Sequence, residues 1–578
     1  MIAQRSVRGV EVVLGLCAYT HDSAAALLVN GHLIGFAEEE RLDGVKHSNA
    51  YPANAVAWLL GEAGLTANEV TTVAYNFDGR HYLPALGQLP GHLARATTRS
   101  RAIPRARSFL TVHRRNRARM RDLSRRFPFA RLVPVLHHRA HALYAFLAAG
   151  VDDAAVLIVD SLGELQTTTI WHAAHRDEQP FRLCLAESVK DPASLGYAYG
   201  AVTEHLGWRR GDEEGTVMAL AALGDPAHFH DLISRAIRLT TDGFTLDPQL
   251  LPLRVLSSRY RRTSLAFTAA TCPPRSPDAP VEPVHADLAA ALQERTEQVM
   301  LYLAGRATRL TGSGLLCLGG GVAMNCVAAG QITRAGIVDE VHIPPAPGDS
   351  GTAIGAAAAA WLDATGRPPT GIGGRCYLGP AYPDLALPVE PRPGLTVARP
   401  ADPVRHLAQQ LADGAIVGLF TGPLEAGPRA LGNRSILASP FAPEVVDRLN
   451  STVKFRESFR PFAPVILADK VADYVQLRQP SPFMSIAAPV TDLTRTDLPA
   501  IVHGNGTARV QTVTRTQHPF LANVLAAFGE ITGHPVLINT SLNIKGKPIC
   551  GTPDMALDCL AETGLDALLI EGWWVTKC

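Results

Sequence analysis

Residues 378 to 403 read LGPAYPDLALPVEPRPGLTVARPADP, with seven prolines in 26 positions. Each proline fixes its own φ, lacks an N–H donor and pushes the residue before it away from helical geometry, so the stretch reads as a linker. It divides a chain of 578 residues, already too long for one hydrophobic core, into two parts. Both parts carry strand and helix patterns in alternation. The expected architecture is therefore α/β, with a first domain over 1–377, the linker over 378–403 and a second domain over 404–578.

From Glu11 the chain runs EVVLGLCAYTHDSAAALLVNGHLIGFAEEE. This gives a strand, a short polar turn carrying His21, and two strands joined by Asn30-Gly31, a dipeptide suited to a type I′ hairpin. The opening resembles actin-like and sugar-kinase-like ATPase folds, whose turn faces a nucleotide phosphate. Residues 91–127 hold twelve arginines and one acid, Asp122, and read as a solvated helical hairpin before a substrate or partner surface. Further on, LLCLGGGVAMNC gives a buried strand, three glycines and a helix start. VHIPPAPGDSGTAIGAAAAAWL then gives a strand, a Pro/Gly turn carrying Asp349 and an alanine-rich helix. No repeat of 20 to 50 residues is visible.

Within LHHRAHALYAFLAAGVDDAAVLIVDSLGE, His137 and His141 are one helical turn apart, about 6 Å on one helix face. Such a pair is by itself common in helix-surface or core hydrogen bonding. Two carboxylates change its weight: Asp160 ends the strand AAVLIVD, and Asp349 sits at a helix N-terminus, both positions where α/β folds gather ligands. Two neutral imidazoles and two carboxylates suit Fe(II), Mn(II) or Zn(II) and leave coordination positions for substrate, whereas magnesium alone would not favour imidazole.

After the linker come EAGPRALGNRSILASPF, STVKFRESFRPFAPVIL, GTARVQ and NTSLNIKGKPICGTP. Arg429, Arg434, Lys454, Arg456, Arg460 and Arg509 form a cationic set among glycines and apolar residues that would withdraw part of it from water. Such arginines need anions, and phosphates would supply them. Ser541, Asn543 and the turn at Gly546 add a hydroxyl, an amide and free N–H groups.

The order HHRAH, VDSLGE, SLGYAYG, CLGGGVAMNC, PPAPGDSGTAIGAA, GPRALGNRS, KFRESFRPFAP and NTSLNIKGKPI resembles the O-carbamoyltransferases of antibiotic and nodulation-factor biosynthesis. The resemblance covers nearly the whole chain. It is weakest over 80–130 and 225–285, where acceptor-specific elements are expected. It implies an actin-like first domain, similar to that of tRNA threonylcarbamoyl transferases, and a YrdC-like second domain. By this likeness His137, His141, Asp160 and Asp349 hold Fe(II), or Mn(II) or Zn(II), and Gly320, Gly321 and Asn325 hold a carbamoyl adenylate. ATP with Mg(II), and carbamoyl phosphate, would be bound by Arg429, Lys454, Arg460, Arg509, Ser541 and Asn543. The implied enzyme makes carbamoyl adenylate and passes the carbamoyl group to a hydroxyl of a natural product, with His21 deprotonating or orienting that hydroxyl and Lys46 stabilising developing negative charge.

Formal net charge is only +1, which gives no bulk field for nucleic acid or a membrane surface. The start shows no signal peptide and no apolar run reaches 18 residues, so a cytoplasmic protein is expected. Nine cysteines without a C-x-x-C pair argue against zinc ribbons and a disulfide framework. Only seven of the 54 basic residues are lysines, so Lys46 and Lys454 mark places where a compact ammonium is needed. The expected partner is a hydroxylated small molecule, with homodimerisation left open. A tRNA threonylcarbamoyl-type enzyme is the alternative. A hydrogenase-maturation enzyme lacks support, because neither an acylphosphatase segment nor paired C-x-x-C fingers is present, and a non-catalytic ATP-binding module does not account for two ligand-rich constellations.

Overall fold

The computed structural model describes residues 10–175, 180–257 and 259–578. Its first half is built on two mixed five-stranded sheets. One holds β1 (Val12–Cys17), β2 (Ala24–Val29), β3 (His32–Glu38), β4 (Thr72–Tyr75) and β5 (Arg131–Pro134) in the order β3-β2-β1-β4-β5. The other holds β6 (Asp153–Gly163), β7 (Gln166–Ala174) and β8 (Arg182–Lys190). After a separate hairpin, β9 (Ile237–Thr240) and β10 (Gly243–Leu246), it gains β11 (Leu315–Gly319) and β12 (Glu340–His342), in the order β12-β11-β6-β7-β8.

The two sheets share one plan. Each begins with a three-stranded antiparallel meander and then adds two parallel strands beside its first strand. Each is covered on both faces: Val13 and Cys17 of β1 enter one core cluster, and Val12, Leu14 and Leu16 the opposite one. That alternation follows from the period of two along a strand. The paired sheets give the mixed α/β architecture expected of the first half, and their duplication spans far more than 50 residues.

The helix that follows the last strand of each sheet, His137–Ala149 and Thr352–Thr365 respectively, packs against its counterpart. Small residues allow the approach. A Cβ on Gly355 would collide with the Ala140 carbonyl, and one on Gly15 of β1 with that of Ala353.

The remainder forms one nine-stranded sheet from β13 (Leu395–Ala398), β14 (Val417–Phe420), β15 (Arg434–Ala438), β16 (Ala463–Leu467), β17 (Ile486–Pro489), β18 (Thr507–Val513), β19 (Val536–Ser541), β20 (Ala567–Ile570) and β21 (Trp573–Lys577). Their order is β13-β21-β20-β14-β15-β19-β16-β18-β17. The proline-rich stretch is thus not all connector: its proline-free LTVA pairs antiparallel with β21 as an edge strand, where flanking prolines are tolerated. The arginine-rich segment also differs from the hairpin expected of it. It holds the end of a short helix, Leu89–Ala94, packed against a much longer one, Arg99–Arg126, so the two arms are very unequal, and Arg105 of the long helix is buried. No helix among the described residues is long and apolar enough to cross a membrane.

Gly355→Ala should destabilise the protein by about 1–3 kcal/mol, the usual cost of overpacking a tight contact. Denaturant midpoints checked beside Gly61→Ala, in helix Ala53–Glu62 with ordinary φ and open space around the added Cβ, should show the larger loss at Gly355.

Candidate active site: a metal-ligand cluster and a buried cationic cluster

Helix His137–Ala149 delivers His137 at its first residue and His141 one turn later. Strand β6 contributes Asp160, and the turn Asp349–Gly351, which opens helix Thr352–Thr365, contributes Asp349. One donor atom from each of the four lies within 4.8 Å of every other. His137 Nε2 is 3.1 Å from His141 Nε2, 3.4 Å from Asp160 Oδ2 and 3.4 Å from Asp349 Oδ1, while His141 Nε2 is 3.8 Å from Asp349 Oδ1. Two imidazole nitrogens that face each other so closely cannot both carry protons; a cation between them satisfies both. The donor set is two nitrogens and two oxygens, it is largely buried, and it fits a borderline divalent metal.

The surroundings hold the ligands in place. Glu164 accepts the backbone N–H of His137 at 3.2 Å and that of Asp78 at 2.9 Å, and Asp160 Oδ1 accepts the Gly321 N–H at 3.1 Å. A Cβ on Gly163 would strike the rings of His137 and His138. Burial opposes protonation of His137, but Asp349 and Asp160 outweigh it and hold its pKa well above the ordinary value. Burial likewise opposes ionisation of Asp349, and the charges of His137 and His21 overcome it, so its carboxyl stays well below the usual range.

His21 stands at this cluster, with Nε2 3.7 Å from Asp349 Oδ2 and Nδ1 2.9 Å from Asp22 Oδ2. Chiefly through Asp349, its pKa is raised to about 9; a cation that neutralised Asp349 would remove that main cause. Lys46 does not point at the ligands. Its ammonium pairs with Asp212, Asp212 Oδ1 lies 2.9 Å from His47 Nε2, and His47 Nδ1 lies 2.6 Å from Asp22 Oδ1. Lys46 therefore connects to His21 through His47 and two carboxylates.

In the glycine loop, Gly320 has φ +87° and donates its N–H to Pro347 O at 2.8 Å, which keeps the loop against the Asp349 turn. Asn325 has its side chain engaged: it accepts the Ala328 N–H at 3.0 Å as a helix cap and exchanges hydrogen bonds with Gln293 at 2.9 and 3.1 Å.

The second cluster lies on the nine-stranded half. Lys454 is buried at the end of a π-helical segment, Leu449–Lys454. It donates to Asn543 Oδ1 at 2.6 Å, to Ser541 Oγ at 3.2 Å and to the Ser541 carbonyl, so the Ser-x-Asn motif and the lysine form one unit. Burial, then Arg456, pulls its pKa down to about 7. Arg429, Arg456 and Arg460 are lowered first by burial and then by one another or by Arg509, and Arg509 Nε is buried without a partner. Half-buried guanidiniums that repel one another this way are stable only with an anion among them.

Arg434 stands apart from this set. It is fully buried in β15, 3.6 Å over the Phe420 ring, and donates to the carbonyls of Thr421 and Pro380. Its neighbour Glu425 accepts the N–H groups of Leu431, Asn433 and Arg434 at 2.8–2.9 Å, so the GPRALGNRS run is largely a backbone staple.

The halves meet closely. Trp208 Nε1 donates to Glu457 Oε1 at 3.1 Å, Arg41 Nη2 to Gly427 O at 2.7 Å, and Gln479 exchanges bonds with the Val341 backbone at 2.6 and 3.0 Å. Arg460 feels the carboxylates of Glu213 and Asp212 of the first half.

Residues 12–358 match the family model described as Carbamoyltransferase N-terminus, and residues 408–577 that described as Carbamoyltransferase C-terminus. The chain belongs to the carbamoyltransferase family. This carbamoyltransferase is 34% identical over 608 residues to the uncharacterized protein sll1178 of Synechocystis sp., covering 98% of this chain and 96% of the relative. It is 32% identical over 569 residues to nodulation protein NolNO of Sinorhizobium fredii, covering 97% of this chain and 79% of the relative. It is 33% identical over 458 residues to nodulation protein NolO of Bradyrhizobium diazoefficiens, with coverage of 76% and 78%.

Asp22, His47, Asp212 and Glu164 were not singled out from the sequence. Glu164 lies in the quoted VDSLGE run, and its role became visible only once the strand end and the helix start were adjacent. Asp212 joins Lys46 and His47 from far along the chain.

His141→Ala should lose bound divalent metal while keeping its melting behaviour close to that of the parent. Elemental analysis of both proteins, purified alike, checks this, and equal metal content would remove the four residues as a ligand set.

Proposed function

We propose that the protein is an ATP-dependent O-carbamoyltransferase whose two clusters run two half-reactions. In the second domain, read as YrdC-like over 404–578, carbamoyl phosphate takes up water and releases orthophosphate. A carbamate oxygen then attacks the α-phosphorus of Mg(II)-ATP, pyrophosphate leaves, and carbamoyl adenylate forms. In the first domain, over 1–377, the oxygen of an acceptor hydroxyl bonds to the carbamoyl carbon and AMP departs. The acceptor is a hydroxylated natural product.

One observation carries this reading: a chain of the carbamoyltransferase family has a buried, anion-demanding cationic cluster on one half and an imidazole–carboxylate cluster on the other, with the two halves in direct contact. A carbamoyl carbonyl is a poor electrophile because its nitrogen donates into it, and adenylation supplies the missing leaving group. Lys454 neutralises polyphosphate, and Arg429, Arg460 and Arg509 clamp the remaining charge. His137, His141, Asp160 and Asp349 would hold Fe(II), Mn(II) or Zn(II), which when bound supplies Lewis acidity toward a carbonyl or phosphoryl oxygen. His21, hydrogen-bonded to Asp22, takes or orients the proton of the acceptor hydroxyl, and Lys46 with His47 steadies that arrangement through Asp212 and Asp22. Gly320 and Gly321 offer room for the adenylate beside Asp160.

Lys454→Ala should abolish ATP–pyrophosphate exchange yet still form carbamoylated product when given synthetic carbamoyl adenylate. Exchange and product are read by radiolabel and mass spectrometry, and a variant that stays inactive with the adenylate would refute the division of labour.

Proton linkage gives a second check. In the free protein Lys454 has a pKa near 7, so at pH 8 its amine is mostly neutral. A polyphosphate beside it favours the ammonium and raises the pKa toward the ordinary lysine value. ATP binding at pH 8 should therefore take up about one proton, and the uptake should fade as the pH falls below 7, where the amine is already charged. Calorimetry in buffers of different ionisation heat measures it, and Lys454→Met should lack it.

A further inference from the structure

His21 sits in a turn that its own residues do not favour. Between β1 and β2 the chain reverses over 18–23, and both Tyr19 and Asp22 there have φ +62°. His47, which Asp22 ties to this turn, has φ +54°. None of the three is glycine, and residues with a Cβ hold the left-handed region only where their surroundings impose it. The His21 imidazole is itself 60% exposed, so packing does not set its direction. The backbone beneath it must.

The constraint on that backbone comes from the arginine-rich helix Arg99–Arg126. Arg119 Nη2 donates to the Tyr19 carbonyl, and its Nη1 donates at 3.5 Å to the Tyr75 hydroxyl, which donates at 3.2 Å to the Ala18 carbonyl. The Tyr19 hydroxyl donates to Asp122 Oδ2. Arg126 Nε donates to that same oxygen at 2.8 Å, and its guanidinium lies 4.1 Å from the centre of the Tyr51 ring. Tyr51 closes the stretch 46–51, which carries Lys46 and His47. In it the Ala50 carbonyl accepts the Tyr19 N–H at 3.3 Å and the Ser23 hydroxyl at 2.7 Å.

One helix thus grips both segments that carry the polar groups beside Asp349. It can serve as a fixed frame, because Leu123 and, just past its end, Phe127 are buried in one core cluster with Val12, Leu14 and Leu16 of β1. Other arginines of the helix take no part: Arg114, Arg117 and Arg121 are exposed.

We propose that Arg119 and Asp122 are positioning residues for carbamoyl transfer: they hold the Tyr19–Asp22 turn in its left-handed form and so keep His21 directed at Asp349. The proposal rests on the reading of His21 as the group that takes or orients the acceptor proton, and gives the arginine-rich helix a part in that step. Released from Arg119 and Asp122, the turn would relax toward ordinary φ and carry the imidazole away from Asp349 Oδ2, which is 3.7 Å from its Nε2.

Hydrogen exchange and transfer kinetics of the full chain test this with Arg119→Ala, Tyr19→Phe and, as an exposed control on the same helix, Arg121→Ala. Peptides covering 18–24 should exchange about five- to tenfold faster in the first two variants, the scale of one lost hydrogen bond, and at the parental rate in the control. AMP release from synthetic carbamoyl adenylate, with glycerol as the hydroxyl acceptor, should slow about ten- to a hundredfold in those two variants, as a displaced catalytic group predicts. ATP–pyrophosphate exchange should not change. Arg119→Lys, which keeps one donor for the Tyr19 carbonyl, should recover part of the rate. In a His21→Ala background neither substitution should slow release further, since groups that act through one another are not additive.

Thermal melts report folding; if Arg119→Ala does not fold, Tyr19→Phe decides. Unchanged exchange at 18–24 in both variants overturns the proposal. So does the same slowing with and without His21, which leaves the reading of His21 standing. His21→Ala that releases AMP at the parental rate removes the reading of His21 and this proposal with it. A parent that releases no AMP above the uncatalysed rate counts against the transfer reading, and the exchange comparison then decides whether Arg119 and Asp122 hold the turn.

Discussion

Helices His137–Ala149 and Thr352–Thr365 touch backbone to side at Ala140 and Gly355, and the second of them lies against β1 at Gly15. Around that contact the metal-ligand cluster is drawn together. Two imidazoles come from one helix and one carboxylate from the turn that opens the other, and the fourth donor, Asp160, lies late in β6, the first strand of the second sheet's meander. Because each sheet of the duplicated pair contributes its last helix, the four donors exist as a set only when both sheets are folded and docked. Neither half of the duplication contains a site by itself.

Electrostatics sets the two clusters apart. In the first half, carboxylates dominate and favour the protonated form of His137, so a divalent ion would replace a proton rather than enter a neutral hole. In the second, guanidiniums and an ammonium are packed so that each disfavours the charge of the next. One site awaits a cation and the other an anion. Those opposite demands are what the two proposed half-reactions would require of their sites.

Much of this was legible in the sequence because it lies in contiguous runs. The i, i+4 histidines, the strand ending in Asp160 and the Gly turn at Asp349 could each be read from the sequence, and the structure brings their side chains together; the link between Lys454 and Ser541 and Asn543 was implied by the family resemblance, and the three form one unit. What escaped was non-local. Asp212 reaches His47 across 165 positions, a link that no periodicity encodes. Arg434 looked like its cationic neighbours, but strand pairing turned it inward over Phe420. The duplication was invisible because strand order, not residue identity, repeats. The edge strand at 395–398 was hidden by the prolines on both sides of it.

The contacts between the halves have a mechanical consequence. Gly330 meets the carbonyl of Ala487, Gly427 that of Pro345 and Gly551 that of Arg41, each so closely that a methyl group would not fit. Main chain pressed on main chain at three separated points acts like a three-legged stool: tilting the halves about any one leg drives another into a hard wall or pulls it out of contact. The protein is therefore poorly suited to the clamshell opening by which many two-lobed enzymes admit their ligands.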